Sequence, residues 1–497
     1  MGLSSYLIED VKNKSLLCFL ALLVLYFVLH LFNLTALPVF ADEAIYIRWS
    51  QLIIDDFSRY LFYPMNDGKT PLLMWLTVPF LRLFTDQLFA ARLVSVLAGA
   101  MNVSFIFLIL KKLHEKKAAY ITMFLAIINP FIFFHNRLAI TDALLFANLT
   151  VSYYFVLLIV KNKSFWPVLG LALFFFLAIM SKTPALLFIP VFYLAIFFAE
   201  KLNLQLFINK ALKISLGLIL AGLALASFKN EPLFSQLFAV GGNFLQDKSV
   251  IFSTAIWPVI IRNTKFFMEQ LMTYLGPVVL VLALPAFKKT RRKQSILFCS
   301  AIVFILPLVL LGKIIYPRYI LSSSLFFLSS AAISLHNLRN KKIIQSLALL
   351  LIILPYLLFI KNAYFNVDQL QLSKIDREQF LEEWSSGHGI KEISEMIEKF
   401  AQTQRVAVAT EGYFGTLPDG ILLNLHNQNV DNIYVEGIGQ PIREIPSSFW
   451  QKAQGFDLKL LVVNSHRLEM DLPTSQLLAS FCRINQAPCL QVWKIEE

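Results

Sequence analysis

Eleven stretches of the chain are apolar for long enough to cross a lipid bilayer, which takes roughly 17–25 helical residues. They fall near 15–36, 88–110, 117–134, 141–160, 164–181, 183–200, 210–228, 266–287, 295–312, 316–336 and 342–361. A twelfth candidate, "PLLMWLTVPFLRLF" (71–84), is apolar as well. Counting it as a span would reverse the side of every later loop, so it is predicted to lie in or dip into an interface. From about residue 365 the pattern becomes that of a soluble domain. Ile390, Ile393, Ile397 and Phe400 share one face of a predicted amphipathic helix. "RVAVAT", "NIYVEG", "LKLLVVNS" and "CLQVWKI" read as strands. The expected fold class is an α-helical polytopic membrane protein with about 11 transmembrane helices and a small C-terminal extracytoplasmic α/β domain. Residues 1–364 form the membrane domain, with an outer loop at 37–87, and residues 365–497 form the soluble domain.

Charge gives this pattern a direction. Basic residues cluster in alternate loops, in "KKLHEKK" (111–117), "KNK" (161–163), "EKLNLQLFINK" (200–210), "KKTRRK" (288–293) and "NLRNKK" (337–342). Cytoplasmic loops carry such an excess, so these loops are assigned inside, together with Lys12, Lys14 and the N-terminus. The tail is assigned outside. The composition agrees: the 497 residues are 57% hydrophobic and only 15% charged, so most of the chain belongs in lipid. The formal net charge of +12 then reflects inner loops rather than a nucleic-acid surface, since no basic run is interleaved with aromatics. The first apolar stretch lacks a small-residue cleavage site and is read as a retained helix. The expected location is the cell membrane, multi-pass. Cys482 and Cys489 have the spacing of a hairpin disulfide if the tail is outside the cytosol.

Candidate chemistry collects on the outer side. Asp42 and Glu43 open the first outer loop, and Lys69 stands in "NDGKTP" (66–71). Arg137 and Asp142 lie in "HNRLAITD" (135–142), Lys182 in "SKTP" (181–184), and Arg318 with Tyr319 in "GKIIYPRY" (312–319). Ionisable groups at membrane depth are costly and usually face a functional cavity. Each also has a structural alternative. Asp42 sits where the N-cap of a helix over 42–56 would sit, with Glu43 complementing the dipole; Arg137 with Asp142 would make an ion pair, and Lys182 would snorkel from a helix end.

The ordered motifs "DEA-x-Y" (Asp42, Glu43, Tyr46), "DGKTPLLMWL", "ARLVSVLAGA", "NRLAITDALL" and "RYIL" resemble the GT-C glycosyltransferases. The similar branch holds the protein O-mannosyltransferases and the lipid A aminoarabinose transferases. The resemblance spans about 38–150 well and extends more loosely to 335; Thr70 departs from the branch's Lys-Pro-Pro-Leu element. It implies transfer of a sugar, with inversion, from a polyprenyl-phosphate donor to a protein, lipid or glycan acceptor on the outer face. Asp42 or Glu43 would take the acceptor's proton. Lys69, Arg137, Lys182 and Arg318 would bind the donor phosphate, supported by Asp142, Tyr46 and Tyr319. A divalent metal held by Asp42, Glu43 and Asp142 is possible but not favoured. The competing reading is a transporter or lipid flippase, which would place its charges near the midplane on interrupted helices.

Overall fold

The computed structural model describes residues 14–426, 432–485 and 487–496; Lys12 lies outside them. The chain divides into two compact units: residues up to Phe32, Leu61–Leu73 and Arg92–Tyr364 form the first, and Asn33–Tyr60, Met74–Ala91 and Phe365–Glu497 form the second.

The first unit is helical. Among the described residues, six helices are long and apolar enough to cross a membrane: Gln87–Lys112, Thr141–Lys161, Leu204–Ala226, Arg291–Leu311, Pro317–Asn340 and Lys342–Phe365. Two bent pairs raise the number to eight if each is one span: Lys116–Ile128 with Pro130–Asn136 (59°) and Ile256–Tyr274 with Pro277–Ala283 (106°). Both breaks fall at a proline, which has no N–H to donate and cannot continue a helix. They are also tied together. Asn129 caps the second half of its pair by accepting the Ile132 N–H (3.2 Å), while its amide donates to the Tyr274 carbonyl (3.0 Å) at the other break. Helix Thr141–Lys161 is apolar all round, and residues 141–160 are buried, as expected of a helix enclosed by others. Small polar groups fix its neighbours: Thr150 donates to Asn102 (2.7 Å) and Asn148 to Ser181 (3.2 Å). Lys342–Phe365, by contrast, leaves Ile343, Leu347, Leu350, Leu354 and Leu358 exposed. A row of apolar side chains of this extent belongs against lipid. The chain is a multi-pass membrane protein. The apolar segment at 71–84 forms Leu72–Leu83, a 12-residue helix of about 18 Å, too short to span alone.

The second unit contains a five-stranded sheet in the order β2-β1-β3-β5-β4. Its strands are β1 (Val406–Thr410), β2 (Ile433–Gly437), β3 (Leu458–Asn464), β4 (Leu477–Cys482) and β5 (Cys489–Lys494). β1 pairs in parallel with β2 and β3, while β5 runs antiparallel to β3 and β4. β1 is buried throughout, as a continuous apolar run requires. Helix Ile390–Ala401 buries Ile390, Ile393 and Ile397 and leaves Phe400 half-buried. Cys482 and Cys489 face each other across β4 and β5 and are joined by a disulfide.

Helix Ala41–Asp55 packs on this same unit. Gln51 donates to the Leu423 carbonyl (3.0 Å), and His426 stands between Arg48 (3.2 Å) and Asp55 (3.4 Å). Nearby, Asp419 accepts the Gly415 N–H (2.7 Å). Burial pushes its pKa from 3.8 up to about 6, against the opposing pull of that N–H and of Arg48. The folded chain therefore holds a proton that the unfolded chain releases near 3.8. Its stability falls as pH rises from about 4 to 6, and ionised Asp419 costs of order 2–3 kcal/mol above that window. Asp419→Asn, which keeps an acceptor for Gly415, should raise the Tm at pH 7 and leave it nearly unchanged at pH 4. Equal shifts at the two pH values would contradict this.

Candidate functional site

Three segments distant in sequence converge in the helical unit on one carboxylate. Asp142 lies in the first turn of Thr141–Lys161, where a negative charge complements the helix dipole. Lys182 ends helix Trp166–Ser181 in an extended conformation, because the chain must turn into Thr183–Pro184. Its ammonium donates to both Asp142 oxygens, at 2.8 and 3.1 Å. Arg318 enters from the 3-10 turn Pro317–Ser323, its Nε 3.9 Å from Asp142 Oδ2. Aromatic faces back both cations: Lys182 lies 5.1 Å from the Tyr319 ring centre and Arg318 4.9 Å from that of Tyr316. Lys69 stands within electrostatic range of Lys182. It follows Gly68, whose φ of +67° closes the turn after Tyr63–Asp67 and whose missing side chain makes room for Val240.

The cluster thus brings Lys182 and Arg318 to Asp142, with Lys69 in electrostatic range of Lys182, and cations of this kind suit an anionic group such as a phosphate. His135 joins it. Fully buried, with Nδ1 at 2.9 Å from the Phe131 carbonyl, it is in electrostatic reach of Asp142, Arg318 and Lys182. A lone histidine in the apolar run "PFIFFHN" gives no sequence signal of this; only its seven-residue separation from Asp142 hinted at it.

Arg137 is not brought to this cluster. Its guanidinium donates to the carbonyls of Leu29 (3.3 Å), His30 (2.9 Å) and Phe32 (2.8 Å), at the end of helix Lys14–Leu31. The rings of Phe133 and Tyr364 flank it at 5.1 and 5.2 Å. Carbonyls at and just past a helix end are met here by one guanidinium nitrogen, Nη1, with the Tyr364 hydroxyl also donating to Leu29.

The acidic pair belongs to the second unit and is described there. The helix begins at Ala41, one residue earlier than the sequence reading placed it, and its N-cap is Phe40 rather than Asp42. The reason is Glu43: at the third helical position its carboxylate reaches back to accept the Phe40 N–H (3.0 Å). Glu43 is fully buried and Asp42 half-buried. Tyr46 is buried one turn on, 6.0 Å from the Trp49 ring. The helix start is anchored to residues 385–387 of the same unit. Ala41 N–H donates to the Ser385 carbonyl (3.0 Å), Phe40 bridges to Ser386, and Gly387 brings its backbone against Val39. Arg483 holds that segment from the far side, donating to the Ser386 carbonyl at 3.0 Å. Among the described residues, no group of three or more His, Cys, Asp or Glu could hold a metal ion.

A family model described as dolichyl-phosphate-mannose-protein mannosyltransferase matches residues 68–227, the stretch that carries Lys69, Arg137, Asp142 and Lys182. Among solved structures, the chain is similar to ArnT from Cupriavidus metallidurans bound to undecaprenyl phosphate. That match has 14% identity and a TM-score of 0.57, and covers 96% of this chain and 97% of that one. The apo form of the same protein matches at 15% identity and a TM-score of 0.58, covering 95% and 97%. An Archaeoglobus fulgidus oligosaccharyltransferase, in complex with Zn and sulfate, matches at 11% and 0.52, covering 90% of this chain and 68% of that one. No curated protein matches the sequence. At such identities the likeness shows the fold alone: the chain folds like the ArnT structures over nearly its whole length.

Arg137 and the Asp142 cluster thus occupy different places in the unit. Arg137→Ala removes the donor from the His30 and Phe32 carbonyls, while the Leu29 carbonyl keeps the Tyr364 hydroxyl, and should lower stability by about 2–4 kcal/mol, read as a fall in Tm. Donor affinity of the folded fraction should be unchanged. A stable variant that no longer binds donor would place Arg137 in the phosphate site instead.

Proposed function

We propose that the protein transfers a sugar from a polyprenyl-phosphate donor to an acceptor on the outer face of the cell membrane, with inversion at the anomeric carbon. The observation that carries this reading is the meeting of Lys182 and Arg318 on the carboxylate of Asp142, with Lys69 in electrostatic range of Lys182. In such a transfer the bond between the anomeric carbon and a phosphate oxygen breaks, and negative charge grows on the leaving phosphate. Cations fixed in advance, in a site shielded from water, are the largest source of rate. Arg318 offers a planar fork to two phosphate oxygens, and the two lysines act as point charges. Asp142 positions Lys182 and Arg318 and keeps the three cations from repelling one another apart. The cluster lies at one end of Thr141–Lys161 rather than at its middle, which favours a surface reaction over transport.

The acceptor hydroxyl must lose its proton as it attacks, and Asp42 is the proposed base, contributing roughly 10²–10⁴ in rate. Glu43, bound to the Phe40 amide, would hold the helix start in place. The undecaprenyl phosphate in the ArnT structure supports a polyprenyl carrier as donor. The sugar is a hexose or pentose, and the acceptor a protein, lipid or glycan of the envelope. Reconstituted protein supplied with a radiolabelled polyprenyl-phosphate sugar and an envelope acceptor fraction tests this. Asp42→Asn and Lys69→Ala should each reduce transfer by at least about 10²-fold with normal expression; full activity in both would refute the site.

The proposed orientation places the N-terminus inside and the tail outside. Eleven spans then result, with the two bent pairs and the shorter apolar helices Ser15–Leu31, Trp166–Ser181 and Thr183–Phe198 all crossing. The Cys482–Cys489 disulfide supports an oxidising compartment for the tail. In a background with Cys18 and Cys299 replaced by serine, a cysteine at Lys391 should react with a membrane-impermeant thiol reagent on intact cells. One at Lys289 should resist it. Reversed labelling would overturn the orientation.

A further inference from the structure

At the opposite end of Thr141–Lys161 from Asp142, about 30 Å away along the helix, the same unit contains a cavity of about 780 Å³ that the proposed transfer does not use. Lys111, Lys112, His114, Lys116, Lys161 and Lys201 line it, and Glu200 is the one carboxylate among its lining residues. The cations come from three separate places: the turn joining Gln87–Lys112 to Lys116–Ile128, the end of Thr141–Lys161, and the loop before Leu204–Ala226. The acceptors nearby are occupied from behind. Lys293 takes the Glu115 carboxylate (2.7 Å), Lys210 takes the Ile159 and Asn162 carbonyls (2.7 and 2.9 Å), and Arg292 takes those of Phe197 and Ala199 (2.8 and 2.6 Å). Lys210 thus quenches the negative end of the Thr141–Lys161 helix, and the lysines lining the cavity outnumber its one lining carboxylate.

The turn itself is unusual. Glu115 N–H donates to the Leu110 carbonyl and His114 N–H to that of Lys111, both at 3.0 Å, which is the double closure that commonly ends a helix at a left-handed glycine. Here the left-handed residue is His114, at φ +61°. Left-handed backbone is uncommon for a residue other than glycine, and histidine is among the types that adopt it more readily. The charge of Lys161, aided by burial and Lys293, holds the imidazole below its ordinary pKa, a sign of how closely the cations crowd.

We infer that this cavity binds the phosphate of an anionic phospholipid, in the leaflet opposite to the candidate active site. A lipid rather than a soluble phosphate is favoured by what adjoins the charges. Val160, Phe198 and Leu206 line the same cavity. The first turn of Leu204–Ala226 borders it and begins a groove lined by Leu204, Ile208, Leu212 and Leu216, all exposed. A phosphate seated among the lysines has acyl chains within reach of that row. Basic pockets between membrane helices recognise anionic headgroups in this way.

Native mass spectrometry of the full-length, delipidated protein tests this by binding, so the result is independent of transfer activity. Phosphatidylglycerol should bind in preference to phosphatidylcholine, and inorganic phosphate at equal concentration should not displace it. Lys112→Gln/Lys161→Gln/Lys201→Gln should weaken phosphatidylglycerol binding at least about tenfold, and the corresponding triple arginine variant should preserve it. Glu200→Gln, an exposed change that leaves the fold intact, should tighten binding. Unchanged affinity in the triple glutamine variant, or no tightening with Glu200→Gln, overturns the site. Displacement by inorganic phosphate overturns the lipid as its ligand.

Discussion

The ion pair between Asp142 and Lys182 holds together the charged end of the helical unit. Taking a carboxylate and an ammonium out of water costs several kcal/mol each, and their mutual attraction offsets this only when the geometry is good. Here the geometry is good: two short contacts from one ammonium, a third charge at 3.9 Å, and a helix N-terminus beneath the carboxylate. Such an arrangement is weak evidence for stability. It is better evidence for placement, because Asp142 fixes residues from positions 182 and 318 against one another before any ligand arrives. Preorganisation of this kind separates a site that receives developing charge from a surface that merely attracts it.

The acidic pair is held by different means. The stretch from Val39 to Ala41 is laid against residues 385–387 by backbone contacts, and Arg483 ties that segment to Asn464 at the end of β3 (2.7 Å) and to the Pro488 carbonyl before β5 (2.6 Å). Glu43 completes the chain of support by closing the first turn of its own helix. The sheet of this unit is thus a mount for the helix Ala41–Asp55. Asp42, at the start of that helix, inherits the rigidity of a sheet far from it in sequence.

How much of this was legible in the sequence depended on whether a periodic signal existed. The long apolar stretches and the strands β1, β2, β3 and β5 carried one, since continuous or alternating burial leaves its period in the residues. β4 carried little: "LLASFC" alternates between half-buried and exposed on a sheet edge, but its residues are apolar on both faces, so the alternation leaves no period in the sequence. The start of Ala41–Asp55 was misplaced by one residue because Phe40 is not a capping type and the back-bond from Glu43 substitutes for one. Arg137 looked like its fellow cations because carbonyl acceptors leave no mark in a sequence. His135 stayed hidden for the same reason, as its partners Lys182 and Arg318 arrive from distant helices.

The buried helix Thr141–Lys161 shows why charge alone is a poor guide to function. Asp142 at its first turn and Lys161 at its last both satisfy the helix dipole, so each would be favourable with no ligand at all. What distinguishes these ends from an ordinary helix is the surplus that gathers on them. At one end Lys182 and Arg318 meet Asp142 with Lys69 in range of Lys182, and at the other five lysines and His114 line a cavity in which Glu200 is the one lining carboxylate. Dipole complementarity accounts for one charge per terminus, and repulsion within a surplus would disperse it unless an anion repaid the crowding. The excess over that single charge, and not the presence of charge, is the physical ground for placing a phosphate at each end.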